Sequence, residues 1–471
     1  MKKKLFTAAL TLLCISMNAA FAQKETNFWY FGFNAGLDFN SGAPVALTNG
    51  ALSTDEGCSS ISDPNGNLLF YTDGLYVYDR NHTMMPNGDS LGGGWSATQS
   101  TIIIPFPANN SMYYIFTVQE TAPGELSYSI VDMALNSGNG DVTVKNIVLN
   151  TAVTEKLCGV RHSNNTDAWV MVHGYPNDTL FAYPITASGV AATPVINKIG
   201  PVAIGNDYRG YMKFSADGTK FANAVFSSNY VDLFDFDAST GILSNEKYLT
   251  LPAAVSGQGA QGLEFSLSGH YLYTAQQEPS HIFQWDISSN NAVTINSTLL
   301  QIGSSTNQYF GALQMAPDGK IYAAEYNTQF LGVINYPDSS GISCNYVDNA
   351  VSLAGKTCRL GLPNFFPSYF NTTGINSNIP QLNQLTIYPN PVSDKLNISF
   401  SENASETITV KIFSITGEVV FTEEIKTASD YFTKTMDVTN ISNGIYFLNV
   451  QSITHDERSR TIIHKKIMVN H

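Results

Sequence analysis

The sequence is short of charged side chains. Only 13% of its 471 residues are Asp, Glu, Lys or Arg, about half the share of an ordinary soluble protein. The 24 basic residues are outnumbered by 38 acidic ones, which gives a net charge of -14. Affinity for DNA or RNA depends on clustered Lys and Arg, so nucleic acid is not an expected partner. Aromatic residues make up 12% of the chain, and this composition favours a rigid β protein.

Long apolar runs are missing after the first 22 residues. Residues 2–4 are lysines, residues 5–17 are apolar, and residues 20–22 read Ala-Phe-Ala. This pattern predicts a secretory signal peptide over residues 1–22. Loss of its three lysines changes the net charge from -14 to -14 - 3 = -17. No later run approaches the roughly 20 residues that a membrane helix needs, so no transmembrane helix is expected.

Cysteine is also scarce. Cys14 lies in the predicted signal peptide, and Leu13 stands before it where a lipoprotein signal needs a small residue, so a lipid anchor is disfavoured. Four cysteines remain in the exported chain, where disulfides can form. Cys344 and Cys358 flank one polar connection and are predicted to pair, which is worth about 3 kcal/mol for a loop of this size. Cys58 and Cys158 are expected to be buried thiols.

A repeated unit of about 50 residues organises the chain as far as residue 370. Between Gln261 and Gly303, four runs (GLEFSL, YLYTA, HIFQWDI and TINSTLLQI) alternate with turns, which predicts a four-stranded antiparallel meander. Six such units are explicit, and their first turns are DPNGN (63–67), PANNS (107–111), HSNNT (162–166), SADGT (215–219), SLSGH (266–270) and APDGK (316–320). One such sheet cannot bury both faces, so the repeat predicts a β-propeller.

The two ends of this region supply a seventh unit. Residues 27–47 contain later strands without a first strand, and residues 359–370 look like a first strand with nothing after it. Joining them in one sheet would close the ring and remove exposed strand edges. The prediction is an all-β fold with a seven-bladed β-propeller over residues 23–370. The units resemble the YVTN and WD40-like propeller superfamily, and the opening WYFGFNAGLDF resembles the start of many secreted bacterial propellers.

Residues 371–383 have no periodic apolar pattern and are predicted to be a linker. Residues 384–471 then show alternating strands and turns, which predicts a small Ig-like β-sandwich. Several motifs occur there in a fixed order: Tyr388, Pro389, Asn390, Pro391, Gly417, Gly444, Tyr446, Lys465 and Lys466.

In that order these motifs closely resemble the C-terminal sorting domain of the type IX secretion system. The resemblance implies that the secretion machinery is a partner of this segment. It also implies passage through the periplasm to the outer cell surface or the medium. An ordinary Ig-like adhesion module is the alternative interpretation.

Propeller topology predicts where a ligand would bind. The connection into each first strand and the hairpin between the second and third strands lie on the same rim, around one mouth of the central channel. Convergent polar groups over a channel form the default ligand site of such a fold. The candidates are Asp55, Glu56, Asp73, Glu120, Glu155, His173, Asp207, Arg209, Gln258, Gln261, Gln276 and Glu325. The alternative is that a solvated rim is polar anyway.

Recognisable catalytic and metal motifs are absent from the sequence. There is no G-x-S-x-G, no H-E-x-x-H and no C-x-x-C. Histidine pairs at 162 and 173 and at 270 and 281 fall in different blades, whereas zinc needs three or four converging ligands. No metal or cofactor is therefore expected. These features favour an exported module that binds a glycan or a protein; the alternative is a hydrolase or lyase acting on an extracellular polymer.

Overall fold

The computed structural model describes residues 23–305, 309–370, 386–401, 407–414, 418–426, 431–453 and 459–471. The chain divides into two compact units, Met1–Thr372 and Thr373–His471. The predicted signal peptide and linker lie outside the described residues.

The first unit consists of short antiparallel sheets arranged as the seven blades of a propeller. In chain order the strands are β1 (Phe28–Phe31), β2 (Ala35–Asp38) and β3 (Val45–Leu47) in blade 7; β4 (Ser59–Ser62), β5 (Leu68–Thr72) and β6 (Val77–Asp79) in blade 1; β7 (Thr101–Pro105), β8 (Met112–Val118), β9 (Gly124–Asp132) and the first half of β10 (Asp141–Arg161) in blade 2. Blade 3 contains the second half of β10 with β11 (Ala168–Gly174), β12 (Thr179–Thr186), β13 (Gly189–Val190) and β14 (Val195–Lys198).

The remaining three blades are regular four-stranded meanders. They contain β15 (Met212–Phe214), β16 (Lys220–Val225), β17 (Tyr230–Asp237) and β18 (Ile242–Thr250) in blade 4; β19 (Ala260–Phe265), β20 (Tyr271–Gln276), β21 (His281–Asp286) and β22 (Leu300–Ser304) in blade 5; and β23 (Phe310–Met315), β24 (Ile321–Glu325), β25 (Phe330–Ile334) and β26 (Tyr346–Ser352) in blade 6. Short 3₁₀ turns span Asn136–Gly138, Gly205–Tyr208, Gly341–Cys344 and Pro367–Phe370.

All six predicted first turns connect the first and second strands of a blade. Gly66, Gly218, Gly269 and Gly319 have φ between 71° and 87° in these turns. Only glycine adopts this conformation without steric cost, which explains why the repeat is visible in the sequence.

Blade 5 differs from its prediction in the fourth strand. The segment predicted as one strand, residues 294–302, instead begins in the helix α1 (Ala292–Asn296), and the strand β22 starts at Leu300. The side chain of Asn291 accepts hydrogen bonds from the backbone N–H groups of Val293 and Thr294. This N-cap satisfies the first free donors of the helix and therefore favours a helical start.

The ring closes at its termini, but without the regular strand that the sequence predicts. Leu360 O accepts a hydrogen bond from Ala312 N of blade 6 at 2.7 Å, and Asn364 N donates to Cys58 O of blade 1 at 2.7 Å. Residues 359–366 therefore occupy the inner position between these blades. Pro363 lacks an N–H to donate to a ladder, and a single bridge between Phe33 and Thr357 joins this region to the loop after β1.

Buried polar side chains connect the blades near the central axis. Gln99, ahead of blade 2, exchanges two hydrogen bonds with the backbone of Met212 in blade 4, at 3.0 and 2.7 Å. Asn364 donates to the carbonyl groups of Thr101 and Leu157 in blades 2 and 3. These paired groups reach across the axis and hold the inner strands in register, as buried polar groups require partners.

The predicted disulfide between Cys344 and Cys358 is not formed, since both thiols are buried and free. Cys344 ends a 3₁₀ turn beside the outermost strand of blade 6, where Tyr273 lies within hydrogen-bonding distance. Cys358 instead pairs with Thr328 at the hairpin between β24 and β25. The two residues are close in sequence but lie in different parts of the blade. Cys58 and Cys158 are buried and free, as predicted.

The second unit is a β-sandwich. Its strands are β27 (Thr386–Tyr388), β28 (Lys395–Ser401), β29 (Thr407–Ser414), β30 (Val419–Lys426), β31 (Tyr431–Asp437), β32 (Gly444–Ile453) and β33 (Ser459–Val469). They form two antiparallel sheets, in the orders β27-β28-β31 and β30-β29-β32-β33. Alternate apolar side chains of both sheets, among them Leu396, Ile398, Val410, Ile412 and Leu448, are fully buried between them.

Candidate functional site

One rim of the propeller gathers the connections into the first strands and the hairpins between second and third strands. We call this rim the mouth. A contact between the two kinds of loop demonstrates the arrangement: Ser96 N, in the connection into blade 2, donates to a carboxylate oxygen of Glu120, in the hairpin between β8 and β9, at 3.0 Å. Gln261 Nε2, in the first strand of blade 5, donates at 3.4 Å to Glu56 Oε1 in the connection into blade 1. Residues from distant parts of the sequence thus meet at one place.

Several predicted mouth residues are buried and hold the loops together. Asp73 accepts hydrogen bonds from the backbone N–H groups of Leu75 and Tyr76 at 2.9 and 2.7 Å. Asp207 accepts from both the N–H and the hydroxyl group of Ser228, at 2.9 and 2.7 Å. Their carboxylate oxygens are occupied by loop-closing hydrogen bonds, so these side chains position the mouth.

His173 and Gln276 are also buried. His173 Nδ1 lies 2.7 Å from the carbonyl oxygen of Gly174, and burial followed by the nearby Lys156 charge lowers its pKa to about 4. The imidazole is therefore neutral at pH 7. Gln276 Nε2 donates to Asn229 Oδ1 and to a backbone carbonyl group, at 3.0 and 2.8 Å. Both side chains stabilise hairpins beneath the mouth.

Glu325 is fully buried inside blade 6. It accepts a hydrogen bond from the Ser305 hydroxyl group at 2.5 Å and from the Tyr346 phenol at 3.4 Å. Glu120, by contrast, is exposed. The backbone of Gln258 accepts from the N–H group of Glu278 at the edge of the mouth. The predicted set therefore separates into inward-facing residues and residues that solvent or a ligand can reach.

An aromatic arc crosses the mouth from blade 2 to blade 6. It contains Trp95, Phe33, Arg359, Tyr326 and Tyr309. Consecutive members are 6.5 Å apart (Trp95 to Phe33 ring centroids), 4.6 Å (Phe33 centroid to the Arg359 guanidinium), 4.0 Å (guanidinium to the Tyr326 centroid) and 6.2 Å (Tyr326 to Tyr309). Trp95 is 42% exposed. A guanidinium within 6 Å of two rings is stabilised by cation–π attraction.

Arg359 is fixed within this arc by an ion pair. Its Nε atom donates to Asp55 Oδ1 at 2.5 Å, and its other nitrogens donate to Tyr326 and Asn327. Asp55 therefore neutralises Arg359 and is not available as a free carboxylate. The arrangement keeps the rings in one orientation without a net charge.

Two buried glutamates interact electrostatically, and we call them the central carboxylate pair. Glu56 is 7% exposed and Glu155 is 2% exposed. Ser96 Oγ donates to Glu56 at 3.1 Å, and Thr98 Oγ1 donates to Glu155 at 2.5 Å. Burial raises the pKa of Glu56 to about 7, the Ser96 hydrogen bond and the Arg209 charge opposing this. Burial and the Glu56 charge raise the pKa of Glu155 as well. Burial therefore favours the protonated form of both carboxyl groups.

Arg209 lies on the mouth and is exposed. Its guanidinium is 5.4 Å from the Tyr208 ring centroid and 5.9 Å from that of Phe226. Within the described part of the chain, no carboxylate oxygen approaches it within the 4.0 Å that defines an ion pair, in contrast to Arg359. This leaves one accessible cation beside the aromatic rings.

The arc was missed by the sequence analysis, although a signal was present. Trp95 follows three glycines, Gly92 to Gly94, in the connection into β7, which is one of the positions that the repeat assigns to this rim. The predicted rim residues were all charged or polar, so Trp95 was not among them. Among the described residues, no group of three His, Cys, Asp or Glu side chains has the geometry to hold a metal ion.

The sorting motifs meet at one end of the second unit. Val392 N donates to Met468 O, and Asn470 N donates to Val392 O, both near 2.9 Å. Asn390 Oδ1 accepts from Met468 N at 2.8 Å. The Tyr-Pro-Asn-Pro segment at 388–391 is thereby bound to the last strand, which contains Lys465 and Lys466.

Gly444 begins β32, and the hydroxyl group of Tyr446 donates to the carbonyl oxygen of Ser442 at 2.8 Å. This hydrogen bond closes the turn that leads into β32. The predicted motif residue Gly417 lies outside the described residues.

Comparison with known proteins identifies this second unit. Residues 386–466 match the family described as the secretion system C-terminal sorting domain. The protein is therefore secreted through the type IX system to the cell surface or the extracellular space. No described helix has the length and apolar character needed to cross a membrane.

Solved structures resemble the chain at low identity. A candidate 6-phosphogluconolactonase from Bacteroides fragilis is 13% identical over 73% of this chain and 98% of its own, with a TM-score of 0.44. One from Bacteroides uniformis is 15% identical over 81% and 100%, with a TM-score of 0.39. The periplasmic gluconolactonase of Pseudomonas aeruginosa is 13% identical over 77% and 94%, with a TM-score of 0.35. None of the curated proteins matches the chain. The YVTN and WD40-like assignment stays a prediction.

Proposed function

We propose that the exported propeller is a binding module that takes an extracellular glycan across its mouth. The observation that carries this proposal is the aromatic arc, with its exposed Trp95 at one end and Tyr309 at the other. Aromatic faces provide flat apolar surfaces with little conformational entropy to lose on binding. The less polar face of a sugar ring packs against such a surface.

Polar groups around the arc suit the hydroxyl groups of a sugar. Gln261 Oε1 is buried and has no hydrogen-bond donor among the described residues. The protonated members of the central carboxylate pair can donate and accept, as neutral carboxylic acids do. A few convergent polar groups beside an apolar surface fix ligand orientation in most small-molecule sites. These groups complement the hydroxyl groups of a glycan better than they complement an apolar protein surface.

The test uses a glycan array with the purified protein and two alanine variants of the arc. Trp95→Ala and Tyr326→Ala should each weaken binding about tenfold or more, because each removes a stacking surface. Tyr336→Ala is the matched control, since Tyr336 is 60% exposed at the opposite end of blade 6. Binding to protein ligands but to no glycan, or glycan binding that survives both arc substitutions, would contradict the proposal.

A second candidate, a hydrolase or lyase acting on a polymer, is favoured by the central carboxylate pair. Two buried carboxyl groups whose pKa values are raised can act as general acid and base. Glu325, one of the predicted mouth residues, is buried in blade 6, so Glu56 and Glu155 are the groups to change. Under this candidate, Glu56→Gln and Glu155→Gln would lower turnover about a hundredfold or more.

A turnover screen against extracellular polysaccharides, peptides and lactones separates the two candidates. Product formation that either glutamine variant abolishes would establish the enzyme and overturn the simple binding module. Glycan binding without turnover, retained in both variants, would establish the module.

A further inference from the structure

The mouth contains two arginines in different electrostatic situations. Arg359 is neutralised by Asp55 at 2.5 Å and is 9% exposed. Arg209 is exposed, and no described carboxylate oxygen lies within ion-pair distance of it. One arginine thus completes the aromatic arc, whereas the charge of the other faces outward without a partner of opposite sign.

The backbone beneath Arg209 is held rigidly. Lys156 Nζ donates to the carbonyl oxygen of Arg209 at 3.0 Å and to Asn223 Oδ1 and Ala224 O at 2.9 and 2.8 Å. The preceding 3₁₀ turn is fixed to Ser228 through Asp207. These buried hydrogen bonds fix the position of the Arg209 backbone. The Tyr208 and Phe226 rings restrict the conformations of its side chain. Such preorganisation reduces the entropy that a ligand must remove on binding.

The central carboxylate pair does not cancel this charge. Burial raises the pKa of Glu56 to about 7, and burial with the Glu56 charge raises that of Glu155. The other charged groups that act on the pair are Asp55, Glu120 and Lys156. Asp55 is committed to Arg359, and Lys156 to three neutral acceptors. Near neutral pH the carboxyl group of Glu56 is therefore only partly ionised, so the pair offsets the charge of Arg209 only in part.

We propose that Arg209 binds the carboxylate of a uronic acid residue in the glycan that the aromatic arc holds. The inference rests on the proposed glycan-binding function and specifies its ligand class. A planar guanidinium presents parallel N–H donors that match a carboxylate bidentately, which a lysine cannot do. The aromatic arc binds the glycan chain, and the uronic acid residue that reaches Arg209 lies beside the Tyr208 and Phe226 rings.

The negative charge of the whole protein does not oppose this contact strongly. The net charge is -14, but exposed charges farther than about 8 Å are largely screened at physiological ionic strength. A guanidinium in direct contact with the ligand therefore dominates over carboxylates elsewhere on the surface. The association should still strengthen at pH values where the central carboxylate pair is protonated.

The experiment compares acidic polymers with their own neutral forms. Polygalacturonate, alginate and a glucuronic-acid polymer are each tested beside the same polymer after its carboxyl groups are reduced to alcohols. The wild-type protein should bind at least one acidic polymer about tenfold or more tightly than its reduced form, the loss expected for one charged hydrogen-bonded contact. Arg209→Gln should make the two forms bind equally.

Two further variants separate the causes of a negative result. Arg209→Lys keeps the positive charge but loses the parallel N–H donors of the guanidinium. This variant should retain only part of the preference for the acidic polymer over its reduced form. Arg80→Gln is the matched control, because Arg80 is exposed and donates to Gly138 O away from the mouth. Folding of each variant is checked by tryptophan fluorescence.

The outcomes distinguish binding of a uronic acid by Arg209 from the proposed glycan-binding function on which it rests. If reduced and acidic forms bind equally, or if Arg209→Gln leaves the preference intact, the inference is wrong while glycan binding stands. If no acidic polymer binds but neutral glycans do, and Trp95→Ala abolishes that binding, the inference is also wrong and the proposed function survives. If nothing binds, both fail.

Discussion

Replacing Glu56 with glutamine should change how the stability of the propeller depends on pH. Burial raises the pKa of Glu56 from 4.5 to about 7, so between these values the folded protein retains a proton that the unfolded chain has lost. Stability must then fall as the pH rises from about 4.5 to 7, and stay lowered above that. Glutamine is neutral throughout and has nearly the same shape. The variant therefore escapes this loss.

The size of the effect follows from the same interval. From 4.5 to about 7, at about 1.4 kcal/mol for each pH unit, the loss amounts to about 3 kcal/mol. A propeller of about 350 residues has an unfolding entropy of about 0.7 kcal/mol/K. Glu56→Gln should therefore raise the melting temperature relative to wild type by about 4 °C more at pH 8 than at pH 4.5.

Tryptophan fluorescence is a suitable assay, because all four tryptophans, at positions 29, 95, 169 and 285, belong to the first unit. Melting curves are recorded at intervals from pH 4.5 to pH 8. Glu120→Gln serves as the control, since Glu120 is exposed on the same mouth and its charge contributes less than burial to the raised pKa of Glu56, so its substitution should change the profile much less than Glu56→Gln does. Parallel profiles for wild type and Glu56→Gln would refute the idea that the buried pair retains protons.

Three further predictions concern the location of the protein in the cell, the closure of the propeller ring and a buried ion pair in its core. Deleting residues 385–471 should leave the protein in the periplasm with the propeller transition intact, as fractionation and melting curves would reveal; normal extracellular levels of the truncated form would contradict this. Gly361→Ala should lower the melting temperature of the propeller by several degrees, because an added Cβ atom would lie 1.8 Å from the Glu56 carbonyl oxygen; an unchanged curve would argue against tight closure. Lys213→Met should destabilise the propeller by about 3–5 kcal/mol in denaturant titration, since it leaves Glu264, 3.2 Å away in the buried ion pair, without its partner; a cost below about 1 kcal/mol would contradict that account.

The fold was predictable from the sequence because its signals are local. The first hairpin of six blades requires glycine, asparagine or aspartate at fixed turn positions, and the flanking runs alternate as strands do. The sequence predicted that residues 359–366 close the ring, but it did not predict that they lack a regular strand. Pro363 interrupts the hydrogen-bond ladder, and the contacts that fix this segment come from blades 1 and 6. Sequence spacing also failed for Cys344 and Cys358, because Cys344 lies beyond the end of β25 whereas Cys358 pairs with Thr328 just before its start.

The site was only partly predictable, because a loop position does not reveal which way a side chain turns. Asp73 and Asp207 have the same position in the repeat as reachable residues, but both turn inward to close their own loops. Glu56 was predicted to face the mouth as a ligand-binding residue, but it is 7% exposed, and its burial depends on packing across several blades. The aromatic arc joins residues up to 326 positions apart, from Phe33 to Arg359, and no local pattern links them.

Residues 359–366, which close the ring, also affect the order in which the propeller can fold during synthesis. The hydroxyl group of Ser59 donates to the carbonyl oxygen of Asn364 across a separation of 305 residues. Ribosomes add about 5–20 residues per second. Asn364 is therefore synthesised on the order of 15 s or longer after Ser59, and the inner strand of blade 1 lacks this contact until then. Until then the nascent propeller is an open arc with an unpaired strand at its start. Contacts of such long range also slow the final step of folding.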